Sequence, residues 1–586
     1  MKKIVGLILL VFLSFGVRAS HIMGGEITWE CIKDPLNPDV GKYIFTMKLY
    51  RDCDGISLPT TNQTLNVWNH PTVSTISLQF ISNTDISPDC DVTNSGNPAL
   101  DCSTNPVGAV EEYIYQSLPI ALVGAPPISN PPTPTTHGWH FTWDSCCRNG
   151  AIVNLATPSS DGFTMRASMF AYLDPFGNST PTDPCFDSSP IFNESPKTII
   201  CTGYPFSYTH NASDQEMDSL VYSWDEPLDD FFGAYNPPVT PGLLTYTPPY
   251  TSNNPLPGNP TLDPQNGQIS YTSNLSGNFV TVVRVDAYKC NQLVAQIYRE
   301  IQAVLIACPP LAGGNANLPP NIPAPFPAPT PYYTSVAAGT LVSFNISASD
   351  ADLYAAGVPQ DVSLEITGGQ MAGDFVTTTD CASPPCATFT DNLGNPPPFS
   401  SPSIVNGIFE WQTACTHIAS DAGCGNVSNI YNFAIKAYDD FCPANAITFA
   451  TITIEVTQAA SLPAPDLKCA FVDGSGNVTL DWNHNIGANN STLYHLYASD
   501  NIGGPYINIA DVSFPSDIYT IDSSLIPNGA QYFYMTNEST CANESLPSDT
   551  ITPIEFKISS QNVSCWDDTD GMISVEVLTN MLNPFS

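Results

Sequence analysis

Hydrophobic and polar side chains alternate over short stretches along most of the chain. In the run Tyr43–Tyr50, every second residue is large and apolar or aromatic, which is the period-two pattern of a strand with one buried face. Between such runs, Gly, Pro, Asn, Ser and Thr cluster and favour turns, and long stretches of helical periodicity are hard to find. The pattern therefore predicts an all-β protein built from many short strands.

The first residues predict a secretory signal peptide. A basic start at Met1–Lys3 precedes the apolar run Ile4–Phe15, and small residues occupy the positions that a cut after Ala19 requires. The run is too short to span a membrane comfortably, so an uncleaved anchor is the weaker alternative. No second long apolar segment follows. We therefore expect a secreted, extracellular chain associated with the cell surface, with no membrane-spanning segment in the mature protein.

The chain is long and acidic. Its 586 residues exceed what one core organises, which predicts several modules. It has 16 Lys and Arg against 55 Asp and Glu, a net charge of −39. Such a chain repels nucleic acid and attracts cations, so we exclude nucleic acid as a partner. Most of the carboxylates are interpreted as solvating an exported surface.

Two stretches repeat the same order of features. An acidic turn at Asn211–Leu220 is followed by a late strand, Phe279–Asp286, that ends in an aspartate. The same features recur at Phe344–Asp352 and Phe433–Asp440, behind a Pro-rich linker. This order is similar to that of cadherin-like and related immunoglobulin-like domains. Its repetition indicates a tandem array of modules.

A later stretch resembles a fibronectin type III domain. Val478–Trp482 supplies a strand with a buried tryptophan, Tyr494–Ser499 follows, and Gln531–Met535 carries the tyrosines of a later strand. Together these patterns predict the fold class: all-β, with tandem immunoglobulin-like β-sandwich modules behind a disulfide-rich N-terminal β domain.

Eighteen cysteines in an exported chain predict disulfides rather than metal or redox sites. Adjacent Cys146 and Cys147 are expected to bridge to different neighbours, because successive strand side chains point to opposite faces. Spacing alone does not determine the pairing, but the modules favour some pairs. The favoured pairs are Cys201–Cys308, Cys415–Cys442, Cys381–Cys386 and Cys469–Cys541.

Three ordered motifs near the N-terminus carry a more specific resemblance. They are His21–Ile27 (HIMGGEI), Leu49–Cys53 (LYRDC) and Cys146–Asn149 (CCRN). Together they resemble the N-terminal region of large secreted Bacteroidota proteins of the gliding-motility-associated type. That resemblance implies export by the type IX route, which in such proteins usually accompanies a C-terminal sorting domain.

The last stretch resembles the start of an SprB-type adhesin repeat. The resemblance is carried by Val563–Val575, where a Cys-Trp and several acidic residues precede a strand. The chain stops at Ser586, before such a module could bury its apolar face. We expect the sequence to be truncated here, with a degraded tail as the alternative.

These patterns divide the chain into seven segments. They are a signal peptide (1–19), an N-terminal disulfide-rich β domain (20–200), a cadherin-like or Ig-like sandwich (201–308), a Pro-rich linker (309–332), a second such sandwich (333–458), a fibronectin type III-like domain (459–554) and the truncated start of an SprB-like repeat (555–586).

The acidic turns are the candidate metal sites. Calcium takes six to eight oxygen ligands, mostly carboxylate and carbonyl, and alternating acids in an extended turn supply several of them. Polar turn residues or an O-glycosylated acidic loop, with no ion, are the alternative. The candidate calcium ligands are Asp214, Glu216, Asp218 and Asp286 in the first copy and Asp350, Asp352, Asp439 and Asp440 in the second, with Asp567, Asp568 and Asp570 as weaker candidates.

Other signatures of chemistry are weak or missing from the sequence. His137 and His140 are spaced as a two-ligand metal fragment, but no third ligand signal lies nearby. The sequence contains no nucleophile elbow, no H-E-x-x-H motif and no phosphate-binding glycine loop. We therefore expect no catalytic residues, and no cofactor other than calcium.

Two functions follow from these patterns. The first is a non-catalytic cell-surface adhesin or stalk for gliding or surface attachment, with surface glycans or other proteins as partners. The alternative is the carbohydrate-binding accessory portion of a secreted polysaccharide-degrading protein.

Overall fold

The computed structural model describes residues 22–146, 148–173, 179–180, 185, 187–196, 199–230, 233–311, 314–418, 428–458, 462–483, 491–539, 541, 544–553, 556–562 and 569–577. The predicted signal peptide, Cys147, Asp567 and Asp568 lie outside these residues. Within them, helix is limited to α1 (Val92–Ser95) and three short 3₁₀ turns (Ala355–Gly357, Cys415–His417 and Ser523–Leu525). The predicted all-β class is confirmed.

The chain divides into two units. The first comprises Met1–Val336, Leu341–Gln412 and Ala419–Val456. The second comprises Ala337–Thr340, Thr413–Ile418 and Thr457–Ser586.

The N-terminal region of the first unit is a sheet that closes on itself. Its strands are β1 (Ile22–Cys31), β2 (Tyr43–Asp52), β3 (Gln63–Trp68), β4 (Thr75–Asp85), β5 (Val110–Ser117), β6 (Trp139–Ser145) and β7 (Phe163–Met169). Antiparallel neighbours follow the order β1–β2–β5–β4–β3–β6–β7. The two end strands of this order both pair with the long strand β18 (Gln292–Ile306), with Glu26 opposite Arg299 and Ala167 opposite Ile297.

Alternation along these strands builds the core. In β2, every second side chain from Tyr43 to Leu49 is buried, while those between are partly exposed. The Phe45 and Phe141 ring centroids lie 4.5 Å apart, and Trp29 packs 5.7 Å from Phe141. These contacts explain why the period-two pattern predicted the strands correctly: each strand has one face against this core.

The next segment is a sandwich whose larger layer continues the first sheet. Its strands are β8 (Tyr172–Leu173), β9 (Ser179–Thr180), β10 (Ile191–Phe192), β11 (Ile199–Cys201), β12 (Pro205–Thr209), β13 (Ala212–Ser213), β14 (Ser219–Trp224), β15 (Thr261–Leu262), β16 (Gln268–Thr272), β17 (Gly277–Lys289) and β18. Strands β14, β17, β18 and β11 extend the first sheet, and β12, β16 and β15 form a separate one. One sheet thus crosses the predicted boundary at residue 200.

The second copy of the repeat is a two-sheet sandwich. Its strands are β19 (Tyr333–Ala337), β20 (Leu341–Ser349), β21 (Asp361–Thr367), β22 (Thr388–Thr390), β23 (Phe399–Pro402), β24 (Ile404–Gln412), β25 (Ser428–Tyr438) and β26 (Ile447–Thr457). One sheet has the order β19–β26–β25–β21–β23 and the other β20–β24–β22. Phe409 and Trp411 of the second sheet pack on Phe433 of the first, with ring centroids 4.9 and 5.7 Å away.

Within the first unit, this sandwich is joined to the N-terminal region. Cys90 forms a disulfide with Cys442 across a sequence separation of 352. Beside it, the backbone N–H of Asp91 donates to the carbonyl of Asp440 at 2.8 Å. Ile447 and Phe449 belong to the same buried core as the N-terminal strands. The predicted modules of this unit therefore share a core.

The second unit contains a small sandwich and a hairpin. Its strands are β27 (Asp466–Val472), β28 (Val478–Asn483), β29 (Ser491–Ser499), β30 (Ile507–Ser513), β31 (Ile518–Ile521), β32 (Tyr532–Ser539), β33 (Phe556–Gln561) and β34 (Met572–Val577). One sheet is β27–β28–β31, the other β30–β29–β32, and β33 pairs with β34. Trp482 is fully buried and meets Tyr494 of the facing sheet edge-on at 5.3 Å, as the fibronectin-like pattern predicts.

Residues of two of the N-terminal motifs contact β18. Glu26 forms a buried ion pair with Arg299, and Arg148 forms one with Glu300. Gly24 has a φ of +151°, and a Cβ at this position would collide with the carbonyl oxygen of Glu300. The motifs therefore have a structural role in this chain.

The disulfides follow the sequence prediction in part. Cys201 bonds to Cys308 and Cys381 to Cys386, which are predicted pairs. The predicted pairs Cys415–Cys442 and Cys469–Cys541 do not form: Cys442 bonds to Cys90, Cys415 bonds to Cys541, and Cys469 is a free, exposed thiol on β27. Two further bonds are Cys31–Cys185 and Cys53–Cys102. A disulfide needs its two Cα atoms within about 7 Å, and in the two unexpected pairs only the tertiary fold creates that proximity.

Candidate functional site

Three of the four predicted acids of the first copy meet in the turn between β13 and β14. The Asp214 Oδ1 atom accepts hydrogen bonds from the backbone N–H groups of Glu216, at 2.9 Å, and Asp218, at 3.0 Å. Such side-chain-to-backbone bonds are typical of an Asp at the start of a turn. These two bonds hold the turn together from within the chain.

Lysines of the chain supply positive charge to this group. Lys289 Nζ lies 3.1 Å from Asp218 Oδ2 and 3.4 Å from Asp187 Oδ1, and Lys33 forms an ion pair with Glu216. Sequence reasoning missed Asp187, which is fully buried and carries no local motif. Asp187 can be assigned to this acidic group only from its contact with Lys289, which lies at the end of β17.

Burial controls the protonation of this acidic group. It raises the pKa of Asp187 and of Asp214 well above the ordinary value, and attraction to Lys289 opposes the shift in both. Burial lowers the pKa of Lys289, but the neighbouring Asp187 and Asp218 raise it above the ordinary value overall. The raised pKa keeps Lys289 positively charged. Its ammonium group therefore supplies the positive charge that a bound cation would supply to these carboxylates.

Asp286, the fourth predicted acid of this copy, makes its contacts elsewhere. It accepts a hydrogen bond from Gln296 Nε2 at 2.8 Å and pairs with Arg284 Nε at 3.0 Å. Asp286 lies within β17, opposite Val221 of β14. Its side chain therefore projects from one face of the sheet and not into the turn that holds the other three acids.

The four predicted acids of the second copy lie around one group of loops. Asp439 Oδ2 accepts a hydrogen bond from Asn317 Nδ2 at 2.6 Å, and its Oδ1 accepts from the N–H of Phe441 at 3.0 Å. Asp440 Oδ1 accepts from the Tyr354 hydroxyl at 2.7 Å. The bonds to Asn317 and Tyr354 join the end of β25 to the segment before β19 and to the loop between β20 and β21.

The other two acids of this group follow β20. Asp352 Oδ2 accepts from the N–H of Leu318 at 2.7 Å, and Asp350 Oδ1 accepts from the N–H of Asp352 at 2.8 Å. Asp350 Oδ2 is buried with no hydrogen-bond partner. Burial raises the pKa of Asp350 to about 6, and the charges of Asp352 and Asp440 contribute.

A buried amide adds an oxygen to this second group. Gln360 is fully buried and donates from Nε2 to Asn317 Oδ1 at 2.7 Å, while its side-chain oxygen Oε1 has no hydrogen-bond partner. Among the residues that the structure describes, no lysine or arginine pairs with Asp350, Asp352 or Asp439. Carboxylate and amide oxygens without a cation are the donor set that calcium prefers.

Neither acidic group is closed around an ion. Over the described parts of the chain, the three-residue group of metal-type ligand atoms within 4.8 Å of one another is Cys53, Cys102 and Glu111. The two cysteines of that group are bonded to each other. Calcium binding at the second acidic group would therefore require its carboxylates to move closer together.

The histidines of the predicted two-ligand fragment are used by the fold. His140 shares hydrogen bonds with Ser168 Oγ at 2.7 Å and with the carbonyl of His137 at 3.0 Å, and His137 Nδ1 accepts from the N–H of Ser129 at 3.2 Å. Burial lowers the pKa of both histidines. The two rings therefore do not face a common ligand position.

In the second unit, a histidine lies between two carboxylates. His495 contacts Asp511 Oδ1 through Nδ1 at 2.7 Å and Glu538 Oε2 through Nε2 at 2.6 Å. Burial lowers the pKa of His495, but the hydrogen bonds to both acids more than offset it and raise the pKa above the ordinary value.

This arrangement predicts a pH-dependent stability of the second unit. Because the folded state binds the proton more tightly, the stabilisation is present below the unfolded pKa of about 6.5 and is lost as the pH rises through the higher folded value. Thermal unfolding of this unit between about pH 6 and 9 should show stability falling with pH. His495→Gln should flatten the profile; an unchanged slope in that variant would contradict the assignment.

Comparisons with known proteins give little further information. No model of a known protein family matches the chain, and no curated protein is similar to it. Among solved structures, three consecutive domains of titin cover 62% of this chain and 98% of their own at 13% identity, with a TM-score of 0.16. The FN1–FN3 domains of chicken CNTN1 cover 62% and 97% at 11% identity, with a TM-score of 0.16. A chaperone-tip adhesin complex of CFA/I fimbriae covers 42% and 95% at 9% identity, with a TM-score of 0.13. Similarities this weak carry no argument about function.

The disulfides are typical of proteins that fold in an oxidising, extracellular type of compartment. Among the residues described, no helix has the length and apolar character needed to cross a membrane.

Proposed function

We propose that this protein is a non-catalytic, secreted cell-surface adhesin or stalk that resists tension. The observation that carries the proposal is the overlap of two disulfide loops. Cys90–Cys442 and Cys415–Cys541 interlock in sequence, because Cys415 precedes Cys442. Tension that enters at Cys90 passes to Cys442, follows about 27 residues to Cys415 and leaves through Cys541. The folded segments outside this path are protected from extension.

The N-terminal motifs support the surface assignment. Their resemblance to gliding-motility-associated Bacteroidota proteins places the chain with exported surface proteins, and by that resemblance it would leave the cell by the type IX route. The same motifs hold the closed sheet together through Glu26, Gly24 and Arg148. A rigid N-terminal unit of this kind suits a protein that presents a surface away from the cell.

An attachment assay under flow tests this function. Beads coated with the mature chain should attach to bacterial cells or to a polysaccharide film and resist rising shear. The double variant Cys90→Ser/Cys442→Ser should attach equally at rest but detach at a several-fold lower shear. Cys381→Ser/Cys386→Ser removes a loop of five residues and serves as the matched control. Failure of the wild-type beads to attach to any surface would reject an adhesin.

The alternative, a carbohydrate-binding accessory portion, gives a different result in a second assay. A glycan array should then show selective binding to one polysaccharide family. Binding of that kind, without shear resistance at surfaces that lack the glycan, would favour the alternative.

Calcium is proposed at the second acidic group rather than the first. Among the residues that the structure describes, the second group has a buried side-chain oxygen without a partner, Gln360 Oε1, and no paired lysine, whereas Lys289 lies within the first. At calcium concentrations well above the dissociation constant, the melting temperature of the first unit should rise by a few degrees, and EDTA should reverse the change. Asp439→Asn should abolish this rise and Asp218→Asn should preserve it. An unchanged midpoint in the wild-type chain would reject calcium.

A further inference from the structure

The solvent-facing side of the sheet β30–β29–β32 carries a group of tyrosines. Tyr497 and Tyr534 are cross-strand partners, and their rings stack with centroids 4.9 Å apart. Tyr506, which immediately precedes β30, packs on Tyr534 at 4.6 Å. We call Tyr497, Tyr506 and Tyr534 the tyrosine face.

The tyrosine face points away from the core of the sandwich. The chain neighbours of Tyr497 and Tyr534 are fully buried, as expected for the opposite side of the same strands. A cross-strand aromatic pair stabilises a sheet by itself, but Tyr506 adds a third ring to this pair. Three adjoining aromatic rings on the water-facing side of a sheet offer an interaction surface.

Carboxylates border this face. Glu544 accepts hydrogen bonds from the Tyr497 hydroxyl at 3.2 Å and from Thr536 Oγ1 at 3.0 Å. Asp511 and Glu538 flank His495, which lies two residues from Tyr497 on the same side of β29. His495 lies within 4.0 Å of all three carboxylates, and among the described residues no lysine or arginine pairs with them. Residues 462–577 contain two lysines and no arginine, so this part of the chain offers few cations of its own.

We propose that the tyrosine face binds a basic protein segment, with an arginine or lysine side chain over the rings and paired with Glu544. A guanidinium or ammonium group is attracted to the face of an aromatic ring, and a nearby carboxylate adds a charge-assisted hydrogen bond. Arginine suits the site best because its planar group both stacks on tyrosine and bonds to a carboxylate in a bidentate manner. The inference goes beyond the role under tension and does not depend on it.

The ring geometry favours a cation over a sugar. The Tyr506 and Tyr534 planes are inclined by 55° to each other, so these two rings do not form the flat platform that stacks on a sugar ring. The three bordering carboxylates outnumber His495 and add negative potential beside the rings. A cationic group is attracted by that potential, whereas a neutral sugar is not.

Fluorescence anisotropy with the full mature chain and labelled peptides tests the proposal. The probe is an octapeptide of alternating arginine and serine, compared with its glutamate counterpart and with neutral cello-oligosaccharides. The arginine peptide should bind, the glutamate peptide should not, and the affinity should fall as salt increases. Because the whole chain is acidic, binding alone is insufficient, and the variants must locate it.

The tyrosine variants that locate the site leave the net charge unchanged. Tyr506 lies outside the strands, and Tyr506→Ala should weaken the binding of the arginine peptide at least fivefold. Tyr534→Ala should have the same effect, provided that its thermal unfolding is unchanged. Tyr519→Ala, an exposed tyrosine on β31 of the opposite sheet, is the matched control and should have no effect. Glu544→Gln should weaken binding more than Asp549→Asn, which removes the same charge at another exposed position. Equal affinities in Tyr506→Ala and Tyr519→Ala, or oligosaccharide binding that Tyr506→Ala abolishes, would overturn the proposal.

Discussion

Stretching a single molecule should extend the chain between Cys90 and Cys541 by only roughly 90 Å while its disulfides are intact, against roughly 1,500 Å after reduction. The two bonds overlap in sequence, so about 27 residues between Cys415 and Cys442 are the part of this segment that tension can straighten. The remaining residues lie in covalently closed loops that carry no tension. Any further disulfide would shorten this path and could not lengthen it.

The measurement is force–extension spectroscopy with handles at the two ends of the mature chain. Cys90→Ser/Cys442→Ser should add several hundred ångströms to the released length, because tension must then follow the chain from Cys90 toward Cys415. Cys381→Ser/Cys386→Ser should leave the released length unchanged, since that loop lies off the path. A wild-type chain that releases as much length as the reduced chain would contradict both the pairing and the proposed mechanical role.

Replacing Arg299 with methionine should destabilise the first unit by about 3–5 kcal/mol. The side chains of Arg299 and its partner Glu26 are 1% and 4% exposed, so the variant leaves a buried carboxylate without its cation. Arg299 also donates to the Glu194 carbonyl at 2.7 Å and covers the Phe192 ring at 3.9 Å. Guanidinium unfolding followed by tryptophan fluorescence measures the loss, since Trp29 lies in the same core.

Two comparison variants test the cause of this loss. Glu26→Leu/Arg299→Met removes both charges and should recover at least about 2 kcal/mol, because a buried pair replaced by apolar side chains costs far less than one broken. Lys42→Met removes one partner of an ion pair whose side chains are 39% and 37% exposed, and should change stability by less than about 0.5 kcal/mol. A loss from Lys42→Met as large as that from Arg299→Met would show that burial is not the cause.

The acidic turns show how far local sequence predicts a site. Asp214, Glu216 and Asp218 share one turn, because a side-chain-to-backbone turn depends on residues that are close in sequence. Asp187 and Lys289 join them through tertiary contacts, and no local pattern announces either one. These tertiary contacts change the expected chemistry. The acids alone suggested a bound calcium ion, but Lys289 supplies positive charge to them instead.

The tyrosine face shows the same limit from another direction. The alternation of Tyr494–Ser499 and Gln531–Met535 predicts two strands, which the structure forms as β29 and β32. The register that stacks Tyr497 on Tyr534, and the turn that brings Tyr506 to them, depend on how the strands pair. The alternation of residues predicts the strands, but it does not predict the register in which they pair.

The sequence by itself determined that this is an all-β, disulfide-rich chain of repeated sandwich-type modules. Period-two alternation, turn residues and acidic turns are local properties of the sequence, so they can be recognised without knowledge of distant contacts. Only the tertiary structure decided that one sheet crosses the expected boundary at residue 200 and that Cys90 meets Cys442. Both depend on segments that are far apart in sequence, and the free energy that brings them together comes from burying a shared core that no single segment encodes.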